Sequence, residues 1–107
     1  MRIAVTSAGE GLESQLDERL GRCPYFVILD TESGTVESLQ NTAADASSGA
    51  GTKAMQLLMD RDVQVIITGK IGPNAAELIA EAKMEAVTEQ KGTVRAVFNE
   101  YRTKKGI

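Results

Sequence analysis

Short apolar runs alternate with amphipathic stretches along this chain, the pattern of a protein in which strands and helices follow one another. Residues 3–5 form the first apolar run, and residues 25–29, rich in aromatic and β-branched side chains, form the strongest strand candidate. A polar segment, 35–39, follows a turn and is predicted to be the hairpin partner of that strand. The apolar residues of 63–68 are nearly continuous, as in a central strand, and residues 85–87 form a fifth, short strand.

Three segments have the spacing of amphipathic helices. The first begins at Ala50, the second at residues 72–73, where proline suits the first helical turn, and the third after residue 93. A short helix of one or two turns is also predicted from Ser14, a potential N-cap, to Gly21. The apolar stripes of the three longer helices comprise Ala50, Ala54, Leu57 and Leu58; Ala75, Leu78, Ile79 and Ala82; and Val94, Val97, Phe98 and Tyr101.

A hairpin followed by alternating strands and helices predicts an α/β fold, with a five-stranded mixed sheet and helices on both faces. Right-handed crossovers give the strand order 3-2-1-4-5, in which strand 2 is antiparallel to its neighbours. The small-residue stretch 41–51 is expected to be an ordered loop rather than a linker, because neither flank could bury a core alone. Residues 1–107 are therefore predicted to form a single domain.

The loops after strands 1, 4 and 5 open at one edge of this sheet, where open α/β sheets place ligands. After the central strand, Gly69 and Gly72 let the backbone turn tightly and approach a ligand, just before Asn74 in the next helix. The loop Ser47-Ser48-Gly49-Ala50-Gly51-Thr52 also precedes a helix and could cradle an anion with its N–H groups. It lacks the spacing of a phosphate-binding P-loop, and a capping serine with flexible glycines explains it equally well.

Cys23 is the only cysteine, so no internal disulfide can form, and it lies beside Arg22 near a predicted helix end. A cationic neighbour lowers the pKa of a thiol and favours the thiolate, which binds soft metals. A buried cysteine that acts as a small apolar residue is the commoner alternative. Cys23 is therefore both a candidate metal ligand and a candidate core residue.

The composition excludes several classes of function. A net charge of −3, a pI near 4.9 and 4% aromatic residues disfavour nucleic-acid binding. The chain has no histidine and no cluster of acidic residues at the strand ends, where Asp30 stands alone, so neither an enzyme nor a metal-dependent hydrolase is expected. No apolar run approaches the roughly 20 residues that cross a bilayer, and no signal peptide precedes the first strand, so a cytoplasmic location is predicted.

Several stretches together resemble the dinitrogenase iron–molybdenum cofactor biosynthesis family, the small domain also found in nitrogen-fixation cofactor carriers. The Thr-Gly-x-Ile-Gly-Pro-Asn run is the most specific of them. The matching stretches are Leu-Asp-Glu-Arg-Leu-Gly-Arg-Cys-Pro-Tyr-Phe at 16–26, Gly-Ala-Gly at 49–51, Ile-Thr-Gly-Lys-Ile-Gly-Pro-Asn-Ala at 67–75 and Gly-Thr-Val at 92–94.

The resemblance implies a ribonuclease-H-like three-layer fold and non-catalytic carriage of iron–sulfur or iron–molybdenum cofactor precursors. Relatives often have histidine where this chain has Arg19 and Ser48, and one cysteine cannot hold an ordinary iron–sulfur cluster, which takes about four. A pre-assembled cluster could still be held by Cys23 and backbone N–H groups, with Arg19 and Arg22 on its anionic surface, or be shared by two chains.

Two functions follow as hypotheses. The first is a carrier of a metal–sulfur cofactor that exchanges cargo with a donor or acceptor protein, as a monomer or weak homodimer. The second is a regulatory module that binds a small molecule or an anion at the same edge through backbone N–H groups, without metal. The predicted site comprises Arg19, Arg22, Cys23, Ser48, Gly49, Gly51, Gly69, Gly72 and Asn74, with Cys23 as the metal ligand.

Overall fold

Five strands and three helices make up the computed structural model, which describes all 107 residues. Each helix lies close to its expected position, and the strands lie within a few residues of theirs. The elements in chain order are β1 (Arg2–Ser7), β2 (Tyr25–Asp30), β3 (Val36–Gln40), α1 (Ala50–Asp60), β4 (Val65–Ile67), α2 (Pro73–Glu81), β5 (Glu85–Val87) and α3 (Val94–Lys105).

The strands form one mixed sheet in the order β3-β2-β1-β4-β5. β2 is antiparallel to both β1 and β3, whereas β4 runs parallel to β1 and to β5. The predicted strand order and the antiparallel second strand are confirmed. The ribonuclease-H-like designation that the resemblance implies stays a prediction.

Two apolar layers pack against opposite faces of the sheet, because successive residues of a strand point to opposite sides. Ala4, Phe26 and Ile66 face α1 and α2, whose buried residues include Met55 and Ile79. The alternate residues face α3; they are Ile3, Val5, Val27, Leu29, Val65 and Ile67, packed against Val94, Val97, Phe98 and Tyr101. The three-layer arrangement therefore follows from the alternation along β1, β2 and β4.

The short helix expected from Ser14 to Gly21 is wrong. The Ser14 hydroxyl donates to the carbonyl of Glu10 instead of capping a helix, and residues 14–21 run as an irregular segment. Isolated bridges tie this segment to distant parts of the chain: Ser7 to Leu16, Gln15 to Thr93 and Arg19 to Lys70. These long-range hydrogen bonds replace the local bonds that a helix would need.

The buried stripe of α2 is narrower than expected. Ala75 and Ile79 are buried and Leu78 is half-buried, but Ala82 is exposed because the helix has already ended there. The central strand is also shorter than the apolar run, since only Val65–Ile67 has strand geometry. Val63 and Thr68, which lie just outside the strand, are still buried, whereas Gln64 is exposed.

Candidate functional site

A groove of about 380 Å³ lies at the edge of the sheet where β4 ends, the edge that the sequence predicts. Three segments line it: the irregular segment before β2, the start of α1 and the turn from β4 into α2. The lining residues are Arg19, Leu20, Gly21, Arg22, Gly49, Ala50, Gly51, Thr52, Lys70, Gly72, Pro73, Asn74 and Ala75.

Two glycines bring these segments together. A Cβ on Gly21 would lie 2.8 Å from the backbone nitrogen of Gly51, and a Cβ on Gly69 would lie 2.6 Å from the Cβ of Glu18. Neither position has room for a side chain, since real Cβ atoms essentially never approach so closely. The Lys70 N–H donates to the Glu18 carbonyl at 2.7 Å and fixes the same contact.

A buried pair of threonine hydroxyls, one in β1 and one directly after β4, holds the irregular segment 14–21 against the sheet. Thr6 and Thr68 are both fully buried, and their Oγ1 atoms lie 2.8 Å apart. The Thr6 hydroxyl donates to the carbonyl of Asp17 at 2.6 Å, while the Asp17 N–H donates to the carbonyl of Thr6 at 3.0 Å. Asp17 is thus held on both sides of its backbone by β1, and this position carries Arg19 to the rim of the groove.

Two helices begin at the groove without a side-chain cap. Gly49 precedes α1 with a φ of 69°, which glycine adopts without strain, and Gly72 precedes α2. Neither helix has an acidic residue in its first turn. In contrast, α3 begins outside the lining of the groove, and there the Thr93 hydroxyl accepts a hydrogen bond from the Ala96 N–H. The two uncapped ends present free N–H groups and the positive ends of helix dipoles to a ligand.

The charges of the groove are all positive. Arg19, Arg22 and Lys70 line it, and none of its lining residues is acidic, although the whole chain carries a net charge of −3. A larger surface depression of about 580 Å³ lies at the opposite end of the sheet and includes Asp30 and Asp62. The groove is therefore suited to an anion, whereas the opposite depression carries charges of both signs, since Met1 and Arg2 line it beside the two aspartates.

Arg19 is held in place by Asp17. The Asp17 carboxylate accepts from the Arg19 backbone N–H at 2.9 Å and from its Nε and Nη2 at 3.2 Å each. Burial acts to raise the pKa of Asp17, but the Arg19 hydrogen bonds and charge outweigh it, so that pKa lies below its ordinary value. The same contact raises the pKa of Arg19, which is always charged in any case.

Replacement of Asp17 by asparagine is expected to lower the free energy of unfolding at pH 7 by about 1 kcal/mol, because a charge-assisted contact is lost. A carboxylate with a lowered pKa stabilises the fold above its unfolded-state pKa of about 3.9 and loses that effect as the pH falls through the folded-state value. The difference between wild type and Asp17→Asn should therefore shrink at acid pH. Urea unfolding between pH 2.5 and pH 7 tests it.

The matched control for this measurement is Asp60→Asn, since Asp60 is exposed and its side chain forms neither a hydrogen bond nor an ion pair. It should leave the pH dependence of wild type unchanged. A constant difference between wild type and Asp17→Asn across the whole pH range would contradict the assigned role.

Arg22 lies at the other side of the groove and is bound to a neighbouring loop. Its Nη1 donates to the carbonyl of Ala44 at 2.9 Å and to that of Ala46 at 2.6 Å. The side chain also borders a second hollow, which is lined by Asn41 and Asp45 among others. Arg22 therefore connects the groove to the loop between β3 and α1.

Cys23 lies in the core next to the groove and is fully buried. Its Sγ lies 3.5 Å from the Leu20 carbonyl oxygen and 3.9 Å from Nδ2 of Asn41. Burial raises the pKa of the thiol to about 12, so the expectation that Arg22 lowers it is wrong. The guanidinium of Arg22 is hydrogen-bonded to loop carbonyls, and ionisation of a buried thiol is unfavourable because the thiolate would lose its hydration.

Six of the nine predicted site residues line the groove: Arg19, Arg22, Gly49, Gly51, Gly72 and Asn74. The other three lie elsewhere. Ser48 is exposed outside the lining, Gly69 is buried under Glu18, and Cys23 is in the core. Lys70 and Thr52 also line the groove. They belong to the predicted turn 69–74 and loop 47–52 but are not among the nine singled-out residues, although Lys70 is the one cation in the turn between β4 and α2.

No group of three or more cysteine, aspartate and glutamate side chains is arranged to hold a bare metal ion. None of the three helices is both long enough and apolar enough to span a bilayer.

Similar proteins of known structure share both the fold and a third of the sequence. The apo form of the orange protein from Desulfovibrio gigas has 34% identity and a TM-score of 0.89, over 98% of this chain and 88% of that one. A Thermotoga protein with a provisional NifB assignment has 37% identity and a TM-score of 0.82, over the same shares of the two chains.

A curated relative from Methanocaldococcus jannaschii, itself uncharacterised, is 35% identical over 65 residues. The alignment covers 58% of this chain and 55% of that relative, so it spans about half of each. A broader match comes from the family whose description is dinitrogenase iron–molybdenum cofactor, which covers residues 1–104. The chain therefore belongs to the dinitrogenase iron–molybdenum cofactor family.

Proposed function

We propose that this protein is a non-catalytic carrier that binds an anionic metal–sulfur cofactor, or a precursor of one, in the groove. The observation that carries the proposal is the groove itself: three cationic side chains and two uncapped helix ends surround a space with no acidic lining residue. An iron–molybdenum cofactor is the cargo that the family name suggests, and an iron–sulfur precursor is the simpler cargo of the same chemical class.

The donor set fits an assembled cluster rather than a bare metal ion. A bare cation would be repelled by Arg19, Arg22 and Lys70, and the groove offers it no carboxylate. A pre-assembled cluster carries its own sulfur ligands and an overall negative charge, so guanidinium, ammonium and backbone N–H groups can bind its surface. The size of the groove, about 380 Å³, is within the range of small-molecule and cofactor sites.

Cys23 remains the proposed direct ligand of the metal, because it is the only thiol and it follows Arg22 in the chain. In the present conformation its sulfur is buried behind the groove, so the cluster is first recognised by charge. Delivery to an acceptor protein, in the cytoplasm, then requires exchange of the Cys23–metal bond for a ligand of the acceptor, after which the Cys23 sulfur regains its proton; the cluster itself is unchanged. The proposed carrier is accordingly not an enzyme and works as a monomer or weak homodimer.

The test is anaerobic titration of the protein with a synthetic anionic iron–sulfur cluster, followed by visible absorption and by metal content after gel filtration. Wild-type protein is expected to retain the cluster. Cys23→Ser is expected to bind about tenfold more weakly, a loss of about 1.4 kcal/mol, with a changed sulfur-to-metal absorption band. Failure of wild type to retain any cluster would contradict the proposal.

A second function, an anion-binding regulatory module without metal, is favoured by one observation: Cys23 is fully buried, which raises the pKa of its thiol to about 12. It predicts that oxyanions raise the melting temperature of wild type and Cys23→Ser equally, while neither protein retains a cluster. The same two proteins therefore decide between the functions.

A further inference from the structure

Arg22 is the one lining residue of the groove whose charged group also forms hydrogen bonds with the loop between β3 and α1. Both hydrogen bonds of its side chain run from Nη1 to loop carbonyls, at 2.9 Å to Ala44 and at 2.6 Å to Ala46. We call residues 41–46 the cover loop, because they follow β3 and begin at Asn41, whose side chain lies 3.9 Å from the Cys23 sulfur. The guanidinium thus stands between the groove and the cover loop.

The cover loop is fixed over Cys23 at its other end by Asn41. The Asn41 side chain is buried, and its Nδ2 donates to the carbonyl of Cys23 at 2.8 Å and to that of Gly21 at 3.1 Å. Its Oδ1 accepts from the N–H of Ala43 at 3.0 Å, and Ala43 packs in the same apolar cluster as Cys23. Asn41 and Arg22 therefore anchor the two ends of the cover loop.

Arg22 differs from most other arginines of the chain in its partners. Arg2, Arg19, Arg61 and Arg95 each pair with a carboxylate, whereas Arg22 has only neutral carbonyl oxygens. A guanidinium bound to an oxyanion gains the attraction between two full charges and can form two parallel hydrogen bonds, neither of which a neutral carbonyl oxygen offers. An anion in the groove is therefore a better partner for this guanidinium than the carbonyls of the cover loop.

We propose that Arg22 is a latch: an anion bound in the groove draws its guanidinium from the Ala44 and Ala46 carbonyls, which frees the cover loop and exposes Cys23. The inference rests on the proposed function of the groove and adds its regulation. The thiol stays protected and protonated in the empty protein, and it becomes accessible only when an anionic cargo is beside it. Arrival of the cargo and exposure of its proposed sulfur ligand are thereby coupled.

The experiment measures the rate at which iodoacetamide alkylates Cys23, the only thiol, in full-length protein. Molybdate is the anion probe, and sodium chloride at equal ionic strength controls for screening. In wild type we expect slow alkylation in chloride and about tenfold faster alkylation in molybdate, since the anion shifts the population towards the open cover loop. Alkylation of Cys23 in Arg22→Gln should be fast in both salts, because this variant lacks the guanidinium that restrains the cover loop.

Arg102→Gln is the matched control, since Arg102 lies on α3 away from the groove and also has no carboxylate partner. It should behave as wild type in both salts. Alkylation of wild type that is unchanged or slowed by molybdate, while the melting temperature shows that molybdate binds, would overturn the latch and leave the anion site intact. Absence of any molybdate-induced shift in melting temperature would instead overturn the anion groove and the latch together.

Arg22→Gln that is as slow as wild type in chloride would also overturn the latch, since the carbonyl contacts would then not restrain the loop. The salt comparison in wild type does not depend on how well this variant folds. If the circular dichroism of Arg22→Gln differs from that of wild type, the comparison of wild type in chloride and in molybdate is sufficient to test the proposal.

Discussion

Replacement of Gly69 by alanine is expected to lower the free energy of unfolding by about 3 kcal/mol, the upper end of the usual cost of overpacking. The added Cβ would lie 2.6 Å from the Cβ, 2.8 Å from the Cα and 3.0 Å from the carbonyl oxygen of Glu18. Two of those atoms are backbone, and the Glu18 carbonyl is already bound by the Lys70 N–H, so relief requires movement of the segment itself. Thermal and urea unfolding measure the loss.

Gly72→Ala is the control for this substitution. Gly72 lies three residues further along the same turn, has an ordinary φ of −74° and has open space where the Cβ would be. Alanine there should leave stability within about 0.5 kcal/mol of wild type. Equal destabilisation by both substitutions would mean that the turn needs glycine for conformational freedom and not for close packing.

The sequence is sufficient to predict the sheet because successive residues of its strands face two different apolar cores. Residues of β1 and β2 face α1 and α2 at one position and α3 at the next, and both sets are apolar. A strand covered on both faces produces the unbroken apolar run that identifies it. The hairpin turn and the right-handed crossover rule then leave few strand orders, and the observed one is among them.

The segment from Ser14 to Gly21 could not be predicted in the same way. Its spacing of Leu16 and Leu20 suits a helix, but its backbone is bonded to Thr6, Lys70 and the turn before α3. Such bonds join parts of the chain that are far apart in sequence, so local spacing carries no signal of them. The groove depends on this segment, which supplies Arg19 and ends directly before Arg22.

Local sequence is enough to predict the glycines of the site. It is not enough to predict the protonation state of the cysteine, because that state depends on burial. Glycines before a helix mark the position of an open backbone from local sequence alone, as Gly49 and Gly72 do. Whether Cys23 is a thiolate depends on where the neighbouring Arg22 points and on what lies over the sulfur. Arg22 points to the cover loop, and Asn41 lies over the thiol, 18 residues away in the chain.

Reversal of the charge at Lys70 is expected to weaken binding of an anionic cluster or of molybdate roughly 30-fold, about 2 kcal/mol. Lys70 lines the groove, is exposed and forms no ion pair, so its ammonium is free to bind a ligand. Glutamate at this position would place the first carboxylate among the lining residues and repel the ligand as well. The loss should shrink at high salt, because exposed charges are screened.

Lys83→Glu makes the same change in net charge beyond the far end of α2, where Lys83 is exposed, and should leave binding nearly unchanged. Both lysines are replaced without loss of a buried contact, so the two variants should unfold at similar temperatures and differ only in the titration. Equal weakening by both would show that the overall charge of the protein, and not the groove, attracts the ligand. Because Lys70 touches neither Cys23 nor the cover loop, a selective loss at Lys70 would locate the anion independently of the thiol.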